Sequence, residues 1–324
     1  MASNVSIIMY HYVRDLKHGP FNQIKGLDIE GFKGQIEYLG RHYKFITMDE
    51  LIDSIDNNGD LPPKSILLSF DDGYFDHFNN VLPVLSKLKI QGSFYPPAKA
   101  ILNNEVLDVN KIHFTLACVA DKAILVEEIF KKLDEYRVQF RLENNEAYYQ
   151  KHAVASRYDS AEVKFIKYML QVILPEELRL IICHYLFNKY VSMDESGFSQ
   201  QLYMNIVQLK ELKDHGMHIG SHGYNHYWLG SLSPEKQQLE IKKSLEFLQQ
   251  IGCDLNRWTM CYPYGSHNND TINILRENHC KLALTTKINV STPGKSNRFQ
   301  LPRLDTTDVP IHADDLPNKW FAQA

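Results

Sequence analysis

Two acids stand side by side at the end of an apolar run: Asp71 and Asp72 in "SILLSFDDGY". Desolvation and mutual repulsion both oppose the ionisation of paired carboxylates at a strand end, so such a pair needs partners. A cation can stabilise one of them as an anion and leave the other free to take a proton. The simpler alternative is a cap for a helix starting near Tyr74. Farther along, "SHGYNH" sets His222 and His226 four residues apart. That spacing lets two imidazoles face one atom, from a helical turn or a curled loop, although an isolated H-x-x-x-H is more often a pair of surface histidines. Two imidazoles and a carboxylate suit a borderline divalent ion such as zinc, and leave coordination open to water and substrate.

The elements that must gather these residues are short apolar runs, several followed by a helix-like segment. "VSIIMY" (5–10), "SILLSF" (65–70), "GSFYP" (92–96), "MHIGS" (217–221), "WTMCYP" (258–263) and "LALTT" (282–286) read as strands. "YKFIT" reads as a strand between helices at 28–39 and 48–56, and "HFNNVLPVLSKLK" reads as helical. The helix at 233–251 has Ser233 as N-cap, Pro234 at its first position and Gly252 to end it, with Leu239, Ile241, Leu245 and Leu248 as its apolar stripe. Buried strands alternating with amphipathic helices point to parallel βα units, closed as a barrel or left as an open sheet.

Functional residues in such folds collect where strands end. His11 follows the first run, Asp71 and Asp72 follow the second, His222 and His226 follow "MHIGS", and Pro263, Tyr264 and Gly265 follow "WTMCY". Four segments thus deliver polar groups to one rim. Residues 103–213 break the rhythm. They show helical periodicity, with Glu127/Lys131 and Glu128/Lys132 at i,i+4 spacing and a helix opening on Pro175. The expected organisation is a first part of the α/β domain at 1–102, a helical insertion at 103–213 and a second part at 214–324.

Composition sets the wider bounds. The 324 residues are 44% hydrophobic and 23% charged, ordinary values for a globular protein with ample core. The net charge of −4 and the lack of a Lys/Arg run argue against a nucleic-acid partner. Cys118, Cys183, Cys253, Cys261 and Cys280 are scattered, odd in number and free of C-x-x-C pairs, which fits free thiols in a reducing compartment. No stretch approaches the roughly 20 apolar residues of a membrane span, and the N-terminus lacks the pattern of a signal peptide. A cytoplasmic location is expected; composition says nothing about oligomeric state.

Taken in order, "SFDDGY" and "SHGYNH" resemble the first two signature motifs of the NodB-type polysaccharide deacetylases, and "CYPYG" resembles the third. The resemblance covers residues from about 5 to 305 apart from the insertion. It implies a distorted (β/α) barrel with metal-dependent amide hydrolysis. On this likeness Asp72, His222 and His226 match the metal ligands, and Asp71 matches the base that activates the attacking water. Tyr264 matches the residue whose backbone N–H binds the oxyanion. Zinc is the default ion, while cobalt, nickel, manganese or iron can occupy the same ligands.

The chain departs from the pattern at three points. Cys261 stands where the third motif usually carries an arginine that orients the base. The aspartate–tryptophan fourth motif is missing, as is the C-terminal Leu-x-His that supplies the general acid; His312 in "VPIHADD" is a poor substitute. A circularly permuted branch, resembling the poly-N-acetylglucosamine deacetylases, places its last strand and histidine first. "IIMYH" fits that arrangement, so His11 is the expected acid, a core histidine being the alternative. Arg303 in "LPRLD" is the expected replacement for the arginine, with Asp305 as its partner, against a surface ion pair. The many tyrosines and phenylalanines read first of all as packing, with a sugar-stacking wall as the alternative for Tyr74, Tyr224, Tyr227 and Trp228, which adjoin the motifs. His77, His113, His184 and His218 read as ordinary surface or core residues.

The expected activity is metal-dependent N-deacetylation of an acetamido sugar, nucleotide-linked, lipid-linked or free, in cell-surface glycan biosynthesis. The insertion is expected to narrow the site to a small substrate. The alternatives are hydrolysis of a non-sugar amide, as in allantoinase-like relatives, and a sugar-binding barrel without catalysis.

Overall fold

The strands form in chain order as β1 (Val5–Tyr10), β2 (Val13–Arg14), β3 (Leu27–Asp28), β4 (Lys44–Phe45), β5 (Ser65–Asp71), β6 (Gly92–Tyr95), β7 (His218–Ile219), β8 (Met260–Cys261), β9 (Ala283–Ile288) and β10 (Leu301–Asp305). The computed structural model describes residues 4–19, 21–155 and 159–323. β1 and β5 are buried along their whole length, as expected of continuous apolar runs covered on both faces. The main sheet is ordered β7-β6-β5-β1-β10-β9-β8, with β4 beside β5, and every pair in it is parallel. Its two outer strands meet: the Ser221 N–H donates to the Thr259 carbonyl and the Cys261 N–H to the Ser221 carbonyl, both at 2.9 Å. The sheet therefore curls into a barrel rather than staying open, which resolves the choice left by the strand–helix alternation.

Register carries the site. Tyr10 lies opposite Phe70, and Asp71 opposite Tyr95, so the strand ends line up on one rim. Beneath that rim, Val5, Ile7, Leu67, Tyr95, Cys261, Leu284 and Leu301 share an apolar cluster with Ile46, Leu51 and Ile55 from the β4 segment and the helix after it.

The helix Pro234–Ile251 has the caps expected of it: the Ser233 side chain accepts the Lys236 N–H, and Gly252 ends it at φ 84°. Its buried face differs from the expected stripe. Leu239 is 50% exposed, while Gln237, Glu240, Ile241, Ser244, Phe247, Leu248 and Ile251 face inward. Three of those seven are polar, so a count of apolar residues alone misplaces the face.

The chain divides into two compact units. One comprises Met1–Asp15, Gly26–Asn104 and Ser199–Ala324 and contains the barrel. The other comprises Leu16–Lys25 and Glu105–Phe198. It is helical: Leu125, Ile129 and Leu133 recur at i,i+4 on Lys122–Phe140 and pack with Phe165, Leu178, Ile182 and Leu186. Phe21 joins this unit by edge contacts to Phe114 and Phe198. The expected i,i+4 pairs are replaced by i,i+3 pairs, Lys131 with Glu128 and Lys132 with Glu135. Residues 199–213 belong to the barrel unit, because the Met204 N–H donates to the Gly73 carbonyl at 2.9 Å and Tyr203 bridges Tyr74. No helix among the described residues is long and apolar enough to cross a membrane.

Candidate active site

At the end of β5 the chain reverses sharply. Asp72 takes φ 71° and Gly73 φ 65°, two left-handed residues in a row. A Cβ at Gly73 would lie 2.8 Å from the Pro96 Cβ, so glycine is needed for both conformation and space. The turn leaves the Asp72 carboxylate buried and fixed by Tyr74, whose hydroxyl donates to its Oδ2 at 2.6 Å. No hydrogen bond reaches the other oxygen, Oδ1, which is also buried. His222 Nε2 stands 3.4 Å from it and His226 Nε2 3.3 Å. Burial would keep the Asp72 carboxyl protonated; the facing imidazoles outweigh that and hold it well below the usual carboxylate range.

The two histidines are aimed by their surroundings. The His222 Nδ1–H donates to the Cys261 carbonyl at 2.7 Å, which leaves Nε2 as the nitrogen that faces Asp72. His226 takes φ 60°. The loop between them is gripped by buried Glu240, which accepts the N–H groups of Tyr224 (3.2 Å) and Asn225 (2.8 Å) and the Asn225 side-chain amide. One ligand atom from each of Asp72, His222 and His226 lies within 4.8 Å of the others. A carboxylate oxygen without a hydrogen bond, facing two imidazole nitrogens, is a donor set that could hold a divalent cation, and the residues fit one.

Asp71, Cys261 and His222 make a second cluster of possible donors, but there both carboxylate oxygens are engaged. Arg303 Nη1 donates to Asp71 Oδ1 and Nη2 to Oδ2, each at 2.8 Å. The guanidinium is 0% exposed and is further held by the Thr285 carbonyl and Ser69 Oγ. Burial alone would raise the Asp71 carboxyl; Arg303, by charge and by paired hydrogen bonds, holds it instead at about 2. Arg303 does not take the expected partner, Asp305, which caps the 3₁₀ turn Thr306–Asp308 by accepting the Thr307 N–H at 2.9 Å. The surface ion pair is excluded by burial. Cys261, in the place of the motif arginine, directs its thiol to Asp71 Oδ1 at 3.4 Å.

His11 follows β1 and brings Nε2 to 3.8 Å from Asp71 Oδ2, with its side chain 42% exposed. Tyr264 takes φ 57°, stacks flat on Trp228 (centroids 4.4 Å apart) and meets the His226 ring edge-on at 4.8 Å. Asp71, Asp72, His11, His222, His226, Tyr264 and Arg303 are therefore neighbours in one unit. His312 is exposed and bonded to Asp315 through its N–H. Tyr74 does not join an aromatic wall: it is fully buried, stacked on Tyr12, and serves Asp72. Glu240 escaped sequence reading, because its buried face also carries Gln237 and Ser244 and no apolar pattern marks it.

A curled parallel sheet with a polar cluster at its strand ends is a distorted (β/α) barrel of the NodB-homology type. The Streptococcus pyogenes deacetylase PplD in complex with acetate has this fold, with a TM-score of 0.58 at 17% identity over 94% of this chain and 93% of that one. IcaB from Ammonifex degensii gives 0.56 at 19% identity over 99% and 98%. Residues 184–283 match the family described as Polysaccharide deacetylase, a segment holding His222, His226 and Tyr264. Over 93 residues the chain is 29% identical to YxkH of Bacillus subtilis (strain 168), whose name assigns it to the polysaccharide deacetylases. That match takes in 29% of this chain and spans 31% of the length of YxkH. Over residues 184–283 the chain is similar to the polysaccharide deacetylase family, and its fold is that of the two deacetylase structures.

Proposed function

We propose that the protein is a metal-dependent N-deacetylase of acetamido sugars. The observation that carries this reading is the convergence of Asp72 Oδ1, His222 Nε2 and His226 Nε2 beside a second carboxylate, Asp71, that is already ionised. Asp72, His222 and His226 would hold the ion, zinc by default. A divalent cation bound there would polarise the acetyl carbonyl and acidify water, which would let a carboxylate as weak as Asp71 serve as the base.

The chain's own residues do the rest. Arg303 uses one lone pair on each Asp71 oxygen, so Oδ2 keeps another to accept the proton of the attacking water. The Tyr264 N–H, on its left-handed turn, donates to the oxyanion. An amine leaves poorly unless protonated, and His11, within reach of solvent and 3.8 Å from Asp71, donates that proton. Acetate and a free amino sugar result; PplD was solved in complex with acetate.

A nucleotide-linked, lipid-linked or free acetamido sugar destined for a surface glycan is the substrate class, on the expectation of a cytoplasmic enzyme. The test is acetate release from a panel of such sugars after chelation and readdition of single metals. Acetate released only with metal supports the reading, and metal-independent release or none with any sugar overturns it.

A further inference from the structure

His77 lies outside the motifs and is completely buried. Its ring packs among those of Phe70 (5.4 Å), Tyr74 (5.6 Å) and Phe94 (5.8 Å). Within that apolar box it makes one polar contact, Nε2 to the backbone carbonyl of His11 at 2.8 Å, while Nδ1 has no hydrogen-bond partner. A carbonyl only accepts, so Nε2 carries the proton and Nδ1 is bare. Leaving a buried ring nitrogen unmatched costs free energy that a phenylalanine in the same box would avoid. The residue also opens a single turn of π-helix, His77–Val81, a distortion frequent at functional sites. The peptide it grips is the one that leaves β1 and carries the His11 imidazole.

We propose that His77 is a positioning residue for proton delivery: by holding the His11 carbonyl it fixes the strand-end peptide so that the His11 imidazole stays beside Asp71. This rests on the reading of His11 as general acid. The role differs from packing, because packing among three aromatic rings needs no donor. It also predicts a dependence on leaving group. An amide must have its nitrogen protonated to depart, whereas a nitrophenolate departs unprotonated, so loss of aim at His11 slows one and spares the other.

The experiment compares acetate release from an acetamido sugar with hydrolysis of 4-nitrophenyl acetate by the metal-loaded full chain. His77→Phe fills the box and removes the donor; His77→Gln restores an N–H near the Nε2 position. The expected result for His77→Phe is a loss of about tenfold or more in kcat on the amide, less than about twofold on the ester, and recovery in His77→Gln. His77→Met, flexible enough for the same space, gives the same comparison if the phenylalanine variant does not fold. His11→Ala is run in parallel. If it shows the amide–ester split and His77→Phe does not, the positioning role is overturned alone. If His11→Ala shows no split, the acid assignment fails and the proposal falls with it.

Discussion

Arg303 is worth more to Asp71 than a neighbouring charge usually is, because the pair is sealed from water. With the guanidinium present, the carboxyl sits at about 2 against an ordinary 3.8. A folded value below the unfolded one contributes stability that is complete above pH 3.8 and is lost as pH falls through about 2. Arg303→Met reverses the balance. Burial then acts unopposed, the carboxyl rises by about 1–3 units or more, and a base that must be ionised loses activity at a higher pH. The acid limb of the kcat/KM profile should therefore move upward, and the variant should lose about 3–5 kcal/mol of stability in urea; an unmoved acid limb would show that Asp71 is not the base. The arginine's type and its place near the last strand were readable in the sequence, but its partner was not. Strand alternation puts residues 303 and 305 on one face and so favours that pairing, but Asp305 is the last residue of β10 and its carboxylate caps the 3₁₀ turn that follows.

The elements place the proposed ligands as much as the residues' own spacing does. H-x-x-x-H at 222–226 is on neither a helix nor a strand; it is a loop with left-handed residues at Gly223 and His226, shaped from outside by Glu240 on the helix Pro234–Ile251. Glu240→Ala should leave both histidines in place chemically but free their loop, lowering metal affinity by about 10–100-fold, measured by titration calorimetry. Wild-type affinity in that variant would remove Glu240 from the site. Strand positions were legible because buried parallel strands read as unbroken apolar runs. The helix face was not, because Gln237, Glu240 and Ser244 are buried through specific hydrogen bonds rather than through apolarity. Trp228 and Tyr264 could be seen to adjoin the motifs, yet their flat stack depends on a turn at φ 57° that no residue-type rule predicts for tyrosine.

At the scale of the molecule, the proposed ligand set joins Asp72, just after β5, to His222 and His226, after β7. Ion binding to the folded state alone should raise the melting temperature in proportion to the logarithm of free metal over its dissociation constant. The wild type should show that rise in differential scanning calorimetry, and Asp72→Ala should not; equal rises in both would place the ion elsewhere. The alternation of strands and helices made the α/β class readable. It could not choose between a barrel and an open sheet, since that rests on the single bridge from Ser221 to Met260.

That bridge makes the two histidines unequal. One nitrogen of the His222 ring looks toward Asp72, while the other stitches the chain after β7 to Cys261 across the place where the sheet meets itself. His226 has no comparable duty in the backbone. Replacing His226 should cost cation binding with little change in melting measured without metal, whereas replacing His222 should lower the metal-free melting temperature as well, so only the former isolates chemistry from architecture.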